Sequence, residues 1–246
     1  MNTTMPPALP HGELTEVLPD LFCVTGGVKM APLLAFSRNM TVVREGDRLV
    51  LINSMRLDEP GLAALDALGT VTDVIRLAAF HGMDDPFYKD RYDAKTWAVE
   101  GSAYRRGFDV TKESVEPYFE ADVAMTEQTE LPLSGARLHV LPTRPPEGLL
   151  RLPSRGGVLV AGDALQNWAT TDRYFSFAGK LMMKAMGFIK PHNLGPGWVR
   201  AAKPTVEAVR AILDLEFEHV LPAHGEPVID GAKDEFRRVI EAYAGP

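Results

Sequence analysis

A strand–helix–strand pattern occurs twice in this sequence, each time ending in a His-Gly pair, and it limits the folds that the chain can adopt. In the first half, the apolar runs Leu49–Asn53 and Val71–Ala79 are predicted strands. Between them, Leu57–Leu68 carries leucines at helical spacing and is predicted to be a helix. The second of these strands leads directly into His81-Gly82.

The second unit repeats this order near the C-terminus. Predicted strands at Val158–Ala161 and His219–Pro222 flank a predicted helix at Thr205–Leu215, and His224-Gly225 follows. Strand–helix–strand units favour parallel strand pairs joined by right-handed crossovers. The repeat therefore predicts an α/β fold that contains two parallel strand pairs.

Two hairpins and a terminal helix complete the predicted elements. Glu45-Gly46-Asp47 joins two strand-like runs, and residues 153–157 join two more, so both segments are predicted hairpin turns. A C-terminal helix begins at Ala232 with apolar residues at helical spacing. Because no linker or low-complexity tract interrupts the chain, a single domain over 1–246 is expected, with a helical insertion at about 167–200.

Composition and charge restrict the class of protein. The 246 residues are 46% hydrophobic and 24% charged, as in ordinary globular proteins. The formal charge of −7 and the lack of a basic cluster that would track a phosphate backbone argue against nucleic acid as a partner. No run approaches the roughly 18–20 apolar residues of a membrane span. Residues 1–11 lack the features of a secretory signal, so a cytoplasmic protein is expected.

Several common catalytic and binding motifs are absent from the sequence. There is no G-x-S-x-G serine elbow, no G-x-G-x-x-G dinucleotide loop and no P-loop. The single cysteine, Cys23, excludes an internal disulfide and a thiolate metal cluster. Cys23 also lies in an apolar strand without a charged neighbour, which disfavours a catalytic thiol.

Four polar side chains are the strongest candidates for chemistry, since they follow predicted strands: His81, Asp85, Asp163 and His224. Imidazole and carboxylate groups that converge bind zinc, iron or manganese. A metal bound by such groups polarises a substrate oxygen and lowers the pKa of a bound water. Alternatively, Asp85 or Asp163 is a general base. Each residue also has a local interpretation, with Asp85 capping a helix and His224 bonded to a backbone carbonyl.

The motifs around these residues resemble those of the metallo-β-lactamase superfamily, which includes glyoxalase II, lactonases and phosphodiesterases. The resemblance extends from Leu21 to about Gly231. The family motif His-x-His-x-Asp-His corresponds to residues 81–86, the aspartate of its Gly-Asp motif to Asp163, and its last histidine to His224. The resemblance implies a four-layer αβ/βα sandwich.

The ligand pattern of the family is incomplete in this chain. Met83 and Pro86 replace two histidines, and residues 142–146 supply no histidine where the family has another. A thioether is a poor ligand for these metals, and proline has no ligand atom in its side chain. The resemblance therefore implies at most one divalent metal, held by His81, Asp85, Asp163 and His224, with the first three also catalytic.

Two functions follow from this resemblance. The first is a hydrolase with a degenerate, at most mononuclear metal site, acting on a small ester, thioester, lactone or phosphoester. The second is a non-catalytic protein that binds a small ligand in the inherited pocket without metal. In that case the two carboxylates and the histidines form a polar network. Both functions have a small molecule as the partner, and a fold by itself does not distinguish them.

The predicted insertion at about 167–200 is rich in phenylalanine and methionine. It is interpreted as a lid, as an apolar wall for an acyl-like substrate or as a homodimer surface. The alternative is a helix packed on the core. His192 within it is a candidate replacement ligand. Arg144 occupies the place of a lost ligand. It is interpreted as neutralising Asp163, as binding a substrate anion, or as an ordinary surface arginine.

Overall fold

The computed structural model describes residues 7–245, without the side chains of Phe108 and Ala244. Six residues of the N-terminal segment considered above, 1–6, lie outside the described residues. The described strands are β1 Thr15–Leu18, β2 Leu21–Ala31, β3 Leu34–Glu45, β4 Arg48–Ile52, β5 Thr70–Arg76, β6 Lys95–Val99, β7 Val123–Met125, β8 Arg137–Leu141, β9 Glu147–Leu152, β10 Val158–Ala161, β11 Leu165–Gln166, β12 Asn193–Leu194 and β13 His219–Pro222. The α-helices are α1 Glu59–Leu68, α2 Asp85–Tyr92, α3 Phe177–Ala185, α4 Pro196–Ala202, α5 Val206–Arg210 and α6 Ala232–Ala244.

Two large sheets and one small sheet are built from these strands. The first large sheet has the order β1-β2-β3-β4-β5-β6-β7, the second has the order β13-β10-β9-β8, and β11 pairs with β12. Both predicted hairpins are antiparallel pairs, β3 with β4 and β9 with β10. Both strand–helix–strand units pair in parallel, β4 with β5 and β10 with β13, as the repeat predicted.

Four layers follow from the way in which apolar side chains are buried. The inner faces of the two large sheets pack on each other, with Ile52, Ile75, Leu150 and Val160 among the buried residues. Leu62 and Leu65 of α1 cover the outer face of the seven-stranded sheet. Helices α4, α5 and α6 cover the outer face of the four-stranded sheet through Trp198, Val209, Phe236 and Ile240. The helix–sheet–sheet–helix order confirms the predicted α/β sandwich.

The main local differences from the sequence prediction concern glycines and helix ends. Strand β2 passes through Gly26 and Gly27, a glycine pair that would be typical of a turn, and continues to Ala31. A Cβ on Gly26 would lie 2.6 Å from His11 and Met55, so glycine is required there by close packing. The helix predicted at Thr205–Leu215 is divided into α5 and a 3-10 turn at Ala211–Asp214. The predicted insertion contains α3 and α4.

The longest described helix, α6, has 13 residues, and none of the helices in 7–245 has the length and apolar character needed to cross a bilayer.

Candidate functional site

Three of the four candidate side chains meet where the two sheets come together. His81, Asp163 and His224 are all buried, and one ligand atom of each lies within 4.8 Å of the others. His224 Nε2 is 3.2 Å from Asp163 Oδ1, and His81 Nε2 is 3.5 Å from Asp163 Oδ2. The carboxylate therefore lies between the two imidazoles, and each of its oxygens faces one ring nitrogen.

Tight turns after three strands hold these side chains in place. His81 follows β5, and its N–H donates to the Ala78 carbonyl at 3.1 Å. Asp163 follows β10 and Gly162, where a Cβ would lie 2.5 Å from the Ala78 Cβ. His224 follows β13 and precedes Gly225, which has φ +87° and whose Cβ would lie 2.1 Å from the Asn167 backbone. Only glycine permits the backbones to approach so closely at these turns.

Two buried asparagines tie the turns of one sheet to those of the other. Asn53 donates from Nδ2 to the Ala161 carbonyl at 3.2 Å and accepts the Leu77 N–H at 3.1 Å. It thereby connects the ends of β5 and β10. Asn39 donates to the carbonyls of Pro222 and Gly225, on either side of His224. Neither asparagine is among the site residues predicted from the sequence.

The hydrogen bond made by His224 determines which of its ring nitrogens is free. His224 Nδ1 lies 3.0 Å from the Ser37 carbonyl oxygen, which can only accept, so Nδ1 carries a hydrogen. In the neutral imidazole, Nε2 is then an acceptor directed at the Asp163 carboxylate, which is also an acceptor. A proton or a cation between these atoms satisfies both of them. Such an orientation through Nδ1 is typical of histidines that bind a metal through Nε2.

Burial and charge act in opposite directions on the ionisation of these groups. Burial alone raises the pKa of Asp163, but the charge of His81 and the contacts with His224 outweigh it, so the pKa lies well below its ordinary value. Burial lowers the pKa of His81, although Asp163 opposes this shift. A protonated His81 would therefore stabilise the ionised Asp163 carboxylate, whereas burial of the ring opposes that protonation.

Glu147, at the start of β9, is a buried carboxyl group that the sequence analysis missed. Its Oε1 accepts a short hydrogen bond from the Ala164 N–H, and the carboxyl also interacts with the Asp163 N–H. Burial, and then the charge of Asp163, raise its pKa well above the ordinary value. An isolated acidic residue at the start of an apolar strand was the available signal. Glu147 fixes the turn that presents Asp163.

Asp85, the fourth predicted ligand, lies outside the three-residue group. Its oxygens accept hydrogen bonds of 2.6 Å from the hydroxyls of Ser54 and Tyr104. The guanidinium of Arg76 lies 3.6 Å from the Tyr104 ring centre and adds positive charge nearby. Burial raises the pKa of Asp85, while these hydroxyls and Arg76 oppose the rise. The carboxylate is directed into a separate buried polar network.

The remaining candidates do not join the group of three. Met83 is 42% exposed. Arg144 is also exposed, and the Asp163 carboxylate contacts the two histidines instead of this arginine. His192 Nδ1 lies 3.3 Å from Glu235 Oε2 at the surface of α6. Burial raises the pKa of the Cys23 thiol to about 12, which makes it a poor nucleophile at neutral pH.

An aromatic wall borders the site on the side of the predicted insertion. The ring centroid of Trp168 lies 4.8 Å from that of His224, and the ring centroid of Phe36 lies 6.0 Å from that of His224. Trp168 packs with Phe175 and Met183, so one face of α3 covers this apolar cluster. Part of the insertion is therefore packed on the core, and part of it borders the site.

The three side chains suit a divalent metal. Within the described residues, Asp163 Oδ2 is buried and accepts no hydrogen bond, and its contact with His81 Nε2 is 3.5 Å long. A buried carboxylate oxygen in this state is costly unless a cation or a donor satisfies it. Two imidazole nitrogens and one carboxylate oxygen form a common ligand set for zinc, iron and manganese.

Comparisons with known proteins give a structural likeness only: no protein-family profile and no curated protein matches the chain. The metallo-β-lactamase FIM-1 from Pseudomonas aeruginosa, in its mono-zinc form, is 16% identical with a TM-score of 0.63, covering 99% of this chain and 100% of that chain. The metallo-β-lactamase DIM-1 is 13% identical with a TM-score of 0.64, covering 95% and 100%. A metallo-β-lactamase from Erythrobacter litoralis is 15% identical with a TM-score of 0.58, covering 95% of each chain. These matches show that the chain has the metallo-β-lactamase fold.

Proposed function

We propose that this chain, which has the metallo-β-lactamase fold, is a hydrolase that uses one divalent metal ion held by His81, Asp163 and His224. The observation that carries the proposal is the buried Asp163 Oδ2, which has no hydrogen-bond partner in the part of the chain that the structure describes. It lies in a carboxylate placed between two imidazole nitrogens at 3.2 and 3.5 Å. The structural neighbour FIM-1 in a mono-zinc form supports a single metal on this fold.

A metal bound to these three residues would polarise a substrate carbonyl or phosphoryl oxygen and lower the pKa of a bound water. The chain itself supplies orientation and charge. The Ser37 carbonyl holds His224 with Nε2 directed at Asp163, and Glu147 holds the backbone of the turn that carries Asp163. We assign Asp85 a positioning role, because it binds the Ser54 and Tyr104 hydroxyls instead of joining the three ligands.

Among the predicted substrates, the aromatic wall favours those with an apolar acyl or alkyl part. Phe36 is half-buried and its ring centroid lies 6.0 Å from that of His224, while the buried Trp168 packs against the same imidazole. An apolar group placed against Phe36 would be covered while its ester, thioester, lactone or phosphoester group is near the metal ligands. Activity measurements on each bond type decide which of them the protein hydrolyses.

The test begins with metal analysis of the protein purified without chelators. We expect about one zinc, iron or manganese ion per chain, retained in His192→Ala, which removes a histidine outside the group. The variants His81→Ala, Asp163→Asn and His224→Ala should each retain less than about one tenth of it, because each removes a ligand. Hydrolysis of p-nitrophenyl acetate, a thioester, a lactone and a phosphodiester should decline with metal content.

Two results would contradict the proposal. Absence of stoichiometric metal from the wild-type protein, together with no uptake on addition, removes the metal site. Retention of full metal content by Asp163→Asn removes the assignment of ligands. Metal uptake without hydrolysis of any of the four substrates would keep the metal site and remove the assignment as a hydrolase of these substrates.

A further inference from the structure

Charge is distributed unevenly along this acidic chain. Two long stretches, residues 21–44 and 173–206, contain no aspartate or glutamate. Their basic residues are Lys29, Arg38 and Arg44 in the first, and Arg173, Lys180, Lys184, Lys190, Arg200 and Lys203 in the second. The formal charge of the whole chain is −7, so these stretches are strongly positive relative to the rest.

The fold brings parts of these two stretches together. The first contains the hairpin of β2 and β3, and the second contains α3. Ser176, which caps α3, donates from Oγ to the Leu33 carbonyl at 2.8 Å and accepts the Ala35 N–H at 3.1 Å. The hairpin tip and the first turn of α3 are therefore adjacent, and they form one surface.

This surface exposes large apolar side chains. Phe177 is 86% exposed, Leu33 80% and Leu181 66%, which are the highest values among the large hydrophobic residues in the described part of the chain. Met30, also at the hairpin, is 40% exposed. The buried side of α3 is already occupied, since Gly179 and Met183 face the core. We call the surface formed by Met30, Leu33, Phe177, Leu181, Lys180 and Lys184 the hairpin–α3 face.

Lysines accompany the apolar side chains on α3. Lys180 and Lys184 are exposed and lie one helical turn apart, as do Phe177 and Leu181. Among the described residues neither lysine takes part in an ion pair, whereas Arg38 and Arg44 of the first stretch pair with Asp84 and Asp20. An exposed apolar patch with adjacent unpaired positive charge is complementary to a surface that is both apolar and anionic.

We propose that the hairpin–α3 face docks this protein on the anionic surface of a lipid bilayer, as a peripheral protein. Phenylalanine and leucine side chains would enter the boundary between headgroups and acyl chains, and lysines would contact anionic headgroups. A second copy of the chain is a poorer occupant. A symmetric dimer through this face would place Lys180 and Lys184 of both copies together without acidic partners.

The buried side of α3, opposite the hairpin–α3 face, contacts the aromatic wall of the candidate site. Met183 of α3 packs with Trp168, whose ring lies 4.8 Å from that of His224. Docking through α3 therefore brings the aromatic wall of the site toward the lipid surface. The docking proposal itself rests on the apolar and basic residues of the face and not on the proposed hydrolysis.

The test is flotation of the full chain with lipid vesicles, without added metal or substrate, so that its outcome is separate from that of the hydrolase proposal. The wild-type protein should float with vesicles that contain phosphatidylglycerol. It should not float with pure phosphatidylcholine vesicles, and raised salt should weaken its binding.

Two double variants test the two parts of the face. Phe177→Ser with Leu181→Ser removes the apolar contacts, and Lys180→Glu with Lys184→Glu reverses the charge. Each should lower the partition coefficient on anionic vesicles by at least about tenfold. Because all four side chains are exposed, both variants should keep the wild-type Tm.

Matched controls separate the face from general effects. Lys95→Glu with Lys112→Glu changes net charge equally at exposed positions elsewhere, and Ile229→Ser removes an apolar side chain that is 39% exposed elsewhere. Both should bind vesicles as the wild type does. The proposal is overturned if the wild type does not float with anionic vesicles, or if Phe177→Ser with Leu181→Ser floats unchanged. It is also overturned if the face variants convert a dimer into a monomer without any vesicle binding by the wild type.

Discussion

At the residue scale, Glu147 shows how the environment assigns a role that the residue type does not. A glutamate at the start of an apolar strand resembles a surface residue, yet this side chain is 2% exposed and accepts the Ala164 N–H. It stands close to Asp163, whose negative charge contributes to the raised pKa of Glu147. The two carboxyl groups thus have opposite tendencies: the pKa of Asp163 is lowered and the pKa of Glu147 is raised.

We predict that Glu147→Ala destabilises the protein by about 1–3 kcal/mol, since the buried Ala164 N–H loses its acceptor. Glu147→Ala should also weaken metal retention by about 10–100-fold, because the turn that carries Asp163 is no longer fixed. Urea unfolding and metal analysis measure the two effects. Glu147→Gln, which keeps an amide oxygen as acceptor, should restore most of both.

Glu127→Ala provides the matched control for this prediction. Glu127 Oε1 accepts the Val140 N–H at 3.0 Å, but on the exposed surface, where water replaces the lost acceptor. Glu127→Ala should lower the free energy of unfolding by less than about 1 kcal/mol and leave the metal content unchanged. Equal effects of the two alanine variants would show that Glu147 has no special relation to Asp163.

At the element scale, one serine couples α3 to the β2–β3 hairpin. The Ser176 hydroxyl accepts the Gly179 N–H at 3.0 Å as the helix cap, and it also bonds to Leu33 and Ala35 of the hairpin. The helix N-terminus and the hairpin tip are thus stabilised by one side chain. Met183, on the buried side of α3, packs on Trp168, so this coupling also supports the aromatic wall beside His224.

Ser176→Ala should therefore have two effects. The loss of the cap should cost about 1 kcal/mol in urea unfolding. Amide hydrogen exchange at Ala35 should become faster, because its N–H loses the Ser176 oxygen. Thr205→Ala, which removes the equivalent cap of α5, should cost a similar free energy without any change at Ala35. The coupling is disproved if Ala35 exchanges at the same rate in both variants.

At the scale of the whole molecule, the candidate site joins the two halves of the chain. His81 comes from the seven-stranded sheet, and Asp163 and His224 come from the four-stranded sheet. Asn53 spans the same junction through its bonds to Leu77 and Ala161. A ligand held by all three side chains would therefore bind the folded chain and not the unfolded one.

Metal binding should accordingly stabilise the entire fold. At a free zinc concentration of about 100 times Kd, the free energy of unfolding should rise by about 2.7 kcal/mol. For a chain of this size, Tm should then rise by about 5–10 °C. Asp163→Asn should lose this shift while His192→Ala keeps it, as measured by thermal unfolding with and without zinc. A shift of equal size in Asp163→Asn would place the stabilising metal elsewhere.

Local sequence pattern was enough to predict the two strand–helix–strand units and the polar groups that follow their strands. Apolar periodicity is a local property, so β4, β5, β10 and β13 were evident, and the strand–helix–strand connections predicted their parallel pairing. That pairing led to His81, Asp163 and His224 as candidates, and the structure brings their side chains together.

Which polar side chains share the site depends on how the chain packs in three dimensions. Asp85 follows a strand as the other candidates do, but packing turns its carboxylate toward Ser54 and Tyr104. Glu147, Asn39 and Asn53 join the site through partners far along the chain or in the other sheet. Local pattern fixes where a backbone segment begins and ends, whereas the direction and ionisation of a buried side chain depend on neighbours that folding alone brings near.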